Sequence, residues 1–88
     1  MPDADPFILD CDLHDYLEIA CLFHYRVRLI LTDQAPVEGV ARTTLTESGS
    51  REWLRLDIGS EHRDIELHRL KQLEVLTPNA RFREVRFR

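Results

Sequence analysis

The chain has 88 residues, 32% charged and 43% apolar, with a formal net charge of −4. That suffices for one small domain with a modest core, and it is too apolar for a chain disordered throughout. No apolar run could cross a bilayer and no charged stretch leads into an apolar one, so membrane attachment and secretion are not expected and the reading is cytoplasmic.

Charge is spread unevenly. Six acids, Asp3, Asp5, Asp10, Asp12, Asp15 and Glu18, precede the first basic residue, Arg26. A negative field concentrated at one end suggests a positively charged partner for that end. The two cysteines, Cys11 and Cys21, are too few for a bridged secreted scaffold. With His14 and His24 they give no finger spacing for zinc, so they read as reduced buried thiols and no metal or cofactor is expected.

In chain order, residues 1–9 carry Pro2, Pro6 and the apolar run Phe7-Ile8-Leu9, an extended lead-in packing on the domain. A single domain over residues 10–78 follows, with an Arg-rich tail over 79–88. A helix is predicted from Leu13 to His24, with Asp12 as its N-cap and acids in its first turn to suit the helix dipole. The 3.6-residue period puts Leu13, Leu17, Ala20, Cys21 and His24 on one side. Asp12, Asp15 and Glu18 fall on the other, with Ile19 and Leu22 among them. Acids mixed with aliphatic side chains suit a docking surface; coverage of Ile19 and Leu22 by the rest of the domain is the competing reading.

The period then changes to two. Tyr25–Thr32 is a strand with Val27, Leu29 and Leu31 facing one way. Asp33-Gln34-Ala35-Pro36 turns the chain. Val37–Thr44 is a second strand, which Gly39 lets bend sharply. After the Glu47-Ser48-Gly49-Ser50 loop, Glu52–Ile58 is a third strand, with Leu54, Leu56 and Ile58 inward and Trp53, Arg55 and Asp57 outward. His62–Leu67 is a fourth, His68-Arg69-Leu70 a short turn, and Gln72–Leu76 a fifth. One helix followed by five short antiparallel strands predicts a mainly β fold: an N-terminal α-helix on a small five-stranded Sm-like (SH3-like) barrel, closed to remove its edges. The tail, with arginines at 81, 83, 86 and 88, reads as a frayed, solvated end.

Catalytic signatures are lacking. The three glycines, at 39, 49 and 59, make no phosphate loop, and no serine sits in a nucleophile elbow. Cys21 and His24 lie on the side assigned to the core, where a nucleophile has no open pocket. His62 and His68 read as ordinary strand-end residues. The reading is not an enzyme. An RNA-binding module of the Sm-like kind is the alternative, but it needs a basic surface and stacking aromatics, and the marked end here is acidic.

The block Cys11-Asp12-Leu13-His14-Asp15-Tyr16-Leu17-Glu18-Ile19-Ala20-Cys21 resembles the helix of the Rof family, small bacterial antiterminators that bind the transcription termination factor Rho. Arg28-Leu29-Ile30-Leu31-Thr32-Asp33, Arg51-Glu52-Trp53-Leu54, Ile65-Glu66-Leu67-His68-Arg69-Leu70 and Leu73-Glu74-Val75 agree with it. The resemblance implies a helix on an Sm-like barrel that docks on the RNA-binding N-terminal domain of Rho and blocks RNA loading. It implies partner contacts at Asp12, His14, Asp15 and Glu18, with Arg51 from the loop before the third strand. It implies a protein partner; with the acidic end, no direct binding of nucleic acid is expected, and the protein is expected to be monomeric alone.

Overall fold

A computed structural model describes residues 11–47 and 51–87. The expected lead-in over residues 1–9 and the loop residues 48–50 lie outside them. The elements are α1 (Cys11–Leu22), β1 (Arg26–Leu31), β2 (Val37–Glu47), β3 (Arg51–Ile58), β4 (Glu61–Glu66), a 3₁₀ turn (Leu67–Arg69), β5 (Leu70–Val75) and β6 (Glu84–Arg86). All pairings are antiparallel.

The helix begins at Cys11, so Asp12 lies within its first turn and is not the N-cap. Leu17 and Ala20 are buried, and Leu13, Ile19 and Cys21 pack partly against the core. The other end stops two residues earlier than predicted. Tyr25 N–H donates to the Ala20 carbonyl at 2.9 Å and His24 N–H to the Cys21 carbonyl at 3.1 Å. His24 adopts φ 52°. These are the two bonds and the left-handed residue of a Schellman motif, with His24 where glycine is usual. His24 is therefore exposed and not part of the core. Its ring hydrogen-bonds the Ala41 carbonyl at 3.3 Å, which ties the helix end to β2.

The period-two readings hold strand by strand. Val27, Leu29 and Leu31 of β1, Leu54 and Leu56 of β3, and Ile65, Leu67, Leu70 and Leu73 further on are buried, while Ile58 is half-buried. Each fully buried leucine contributes roughly 1.5–3 kcal/mol of transfer free energy, so these few side chains hold the fold. β2 changes partner along its length. Its first part pairs with β1 (Val27↔Gly39, Leu29↔Val37), and its second with β3 from Val40↔Asp57 to Glu47↔Arg51. The register shifts between Ala41 and Thr43, as at a bulge. A Cβ on Gly39 would lie 2.8 Å from the Asp57 carbonyl oxygen, so only glycine lets β3 pass this closely.

The sheet order is β4-β3-β2-β1-β5-β6. The architecture is Sm-like, a strongly bent antiparallel sheet covered by one helix, but it has six strands where five were predicted. β4 and β6 end the sheet without pairing to each other, so the predicted closure is absent among the described residues. The sixth strand is the tail expected to fray. Leu73 pairs with Val85 and Gln72 with Arg86, and Val85 and Phe87 are buried. Glu84 and Arg86 alternate with Val85 and Phe87 as in an amphipathic strand, exposed where Val85 and Phe87 are buried, because every second residue faces the core. The open edges are instead kept short at β6 and charged at β4, where Glu61, His62, Arg63 and Asp64 are exposed.

Candidate protein-docking face

Leu17 and Ala20 fix which side of α1 faces the core. The 3.6-residue period then turns Asp15, Glu18 and Leu22 outward, and all three are exposed. Asp15 and Glu18 are three residues apart, so their carboxylates are surface neighbours. Among the described residues neither has an ion-pair partner. No basic residue sits in the last turn of α1, so the carbonyl end of the helix adds to the negative field.

His14 is on one flank of this face. Its Nε2 lies 3.2 Å from Glu52 Oε1, and both side chains are about a third exposed, at 33% and 31%. That contact fastens the helix to β3. Arg51 is elsewhere. It lies on the outer side of β3, opposite to the side on which Glu52 meets the helix. Its guanidinium hydrogen-bonds both Glu66 oxygens at 3.3 Å and lies 5.2 Å from the Trp53 ring centroid. The Asp12 side chain is outside the described residues. Of the residues proposed for partner contact, the structure thus brings Asp15 and Glu18 together, sets His14 beside them, and engages Arg51 on another surface.

The opposite flank of the helix holds an aromatic cluster that sequence reasoning missed. The Tyr16 ring meets Phe82 edge-on at 5.0 Å, and Phe82 meets Tyr25 at 5.9 Å. Phe23 stacks on Tyr25 at 5.7 Å, and the Arg81 guanidinium lies over the Phe23 ring, 5.0 Å from its centroid. Arg81 N–H donates to the Tyr25 hydroxyl at 2.9 Å. The segment leading into β6 is therefore pinned against α1. Half of the signal was in the sequence, since Tyr16 and Phe23 are seven residues apart and share a helix face. The other half, Phe82, depends on a tail that folds back.

Among the described residues, Cys21 is the thiol that could serve as a nucleophile, and its surroundings do not activate it. Burial, and then the charge of Glu18, push the Cys21 thiol up to about 11, away from the reactive thiolate. An open cleft of about 850 Å³ runs along the β5–β6 connection past Leu76, Phe82 and Arg83. Its acids already have partners: Glu74 accepts from Arg28 at 3.2 Å and Glu84 from Gln72 at 3.0 Å. Among the described residues, no three His, Cys, Asp or Glu side chains gather to hold a metal ion. No described helix is long and apolar enough to cross a membrane.

A family model described as modulator of Rho-dependent transcription termination (ROF) matches residues 8–87. Among solved structures, magnesium-bound YaeO from Vibrio cholerae O395 is 32% identical, with a TM-score of 0.75 over 84% of this chain and 96% of that one. No curated protein matches the chain.

Proposed function

Since the chain belongs to the Rof family, modulators of Rho-dependent transcription termination, we propose that it is an antiterminator that docks on Rho through α1. In this reading the acidic face enters the RNA-binding cleft of Rho's N-terminal domain. Nascent RNA then fails to load, and termination is reduced. The role is regulatory and non-catalytic, performed in the cytoplasm by a monomer.

One observation carries the reading: Asp15 and Glu18 are exposed side by side with no cation against them among the described residues. A site built to hold phosphates is cationic, and two adjacent carboxylates on a rigid helix match it. Matched charges speed the encounter and reject acidic partners. The desolvation of both carboxylates is offset only where the partner's cations meet them directly. His14 supports the face by holding the helix to β3, and Asp12 extends the acid run along the first turn.

Capture of the protein by purified Rho, with and without competing cytidine-rich RNA, tests the reading. RNA is expected to displace the protein, and added salt to weaken the complex. Asp15→Asn with Glu18→Gln is expected to lower affinity by about a hundredfold, the scale of losing two interfacial charge pairs. Capture that is indifferent to RNA would place the contact outside the RNA cleft. A second reading, direct binding of single-stranded RNA, draws on the partly exposed Phe23 beside Arg81, an aromatic next to a cation. A mobility shift of RNA by this protein without Rho would favour it.

A further inference from the structure

Four large apolar side chains are exposed among the described residues, and three lie on α1 or just after it: Tyr16 at 39%, Leu22 at 72% and Phe23 at 45%. Tyr16 and Phe23 are partly covered by the aromatic cluster. Leu22 is the most exposed of the set and lies outside that cluster. It follows Glu18 by four residues and Asp15 by seven, so the three share one stripe of the helix. A bare leucine in a stripe of carboxylates suits neither a solvated face nor a purely electrostatic contact.

A site for single-stranded RNA has two components. Cations track the phosphates, and apolar or aromatic surfaces receive the bases. Carboxylates alone satisfy the first. We propose that Leu22 enters the recess of the partner's RNA site that otherwise receives a nucleobase, while Asp15 and Glu18 take the places of neighbouring phosphates. This rests on the antitermination reading above and adds the apolar half of the recognition. The spacing fits, because four residues of helix advance about 6 Å, the scale of one nucleotide. The partner surface this selects is a cationic cleft with an apolar pocket between its cations.

The test is the affinity of purified Rho for the full chain across a salt series, with four variants. Leu22→Ala is expected to weaken binding roughly tenfold, the usual scale for an apolar anchor, and to leave the salt slope unchanged. Leu22→Asp is expected to weaken it further, while Leu22→Met, similar in volume, keeps wild-type affinity. Asp15→Asn with Glu18→Gln is expected to flatten the salt slope instead. Equal affinity for wild type, Leu22→Ala and Leu22→Asp would overturn the role of Leu22 and leave the acidic face standing. Failure of the wild-type protein to bind Rho at all would overturn the antitermination reading itself. Melting temperatures of the variants are expected to match wild type, and a Leu22→Ala loss accompanied by Leu22→Met loss and a lowered melting temperature would overturn the contact in favour of helix packing.

Discussion

The outer face of the sheet and the outer face of the helix treat charge in opposite ways. On the sheet, arginines and carboxylates neutralise one another. Arg28 meets Glu38 at 3.0 Å and Glu74 at 3.2 Å. Arg55 meets Asp64 at 2.8 Å, Arg42 meets Asp57 at 3.4 Å, and Arg69 meets Asp33 at 3.1 Å. On the helix, Asp15 and Glu18 have no such partner among the described residues. Nearby cations are spent otherwise: Arg81 covers Phe23. Like charges held together and unpaired oppose folding, so the helix face makes sense as a surface completed by another molecule. The difference separates residues that keep the domain together from residues that let it act.

The sharpest way to break this comparison is at β6, where sheet and helix depend on one strand. Val85→Asp buries an unpaired charge beneath that strand, and a stability loss of about 3 kcal/mol is expected in denaturant unfolding. Because the segment before β6 also holds Phe82 against Tyr16, binding to Rho is expected to fall with it. Retained stability would mean that β6 is incidental to the fold. A smaller effect is expected at the helix end. His24→Gly relieves a left-handed backbone at the loss of one 3.3 Å ring contact. A net gain of about 0.5 kcal/mol in thermal unfolding is expected, with Rho affinity unchanged.

The smallest effect concerns the ion pairs of the sheet. Exposed pairs contribute little, so Arg55→Ala is expected to lower the melting temperature only slightly. Its pH dependence is more telling. A hydrogen bond from Arg55 holds the Asp64 carboxyl below its ordinary value. A depressed carboxyl stabilises the fold above the unfolded-state value, near 4, and that stabilisation is lost as pH falls through the folded-state value. The gap between wild type and Arg55→Ala is therefore expected to close in acid and to be full at neutral pH. A gap that widened in acid would reverse the assigned role of the pair.

Much of the fold was legible because burial imposes a strict period. Val27, Leu29 and Leu31 could alternate only as a strand, and Gly39 stands where β3 passes close to β2. The tail defeated the same reasoning because four arginines hid two buried residues, Val85 and Phe87. His24 was misplaced because a non-glycine residue occupies the left-handed cap, a choice that local propensity disfavours. At the site, Asp15 and Glu18 could be assigned to the outer face from helix geometry alone. Arg51 could not be placed. Its engagement with Glu66 and Trp53 depends on the β3–β4 register, in which Trp53 lies opposite Glu66, and pairing across a turn has no local signature. Leu22 was on the correct face in sequence, but the solvent covering it only became evident from the packing of its neighbours.

The central claim is that the helix carboxylates serve a partner and not the domain. Asp15→Lys combined with Glu18→Lys, assayed for melting temperature and for Rho binding in one preparation, tests it most directly. The account predicts an unchanged or slightly raised melting temperature together with loss of Rho binding. A lowered melting temperature with binding intact would show that these acids hold the fold and that Rho is met elsewhere.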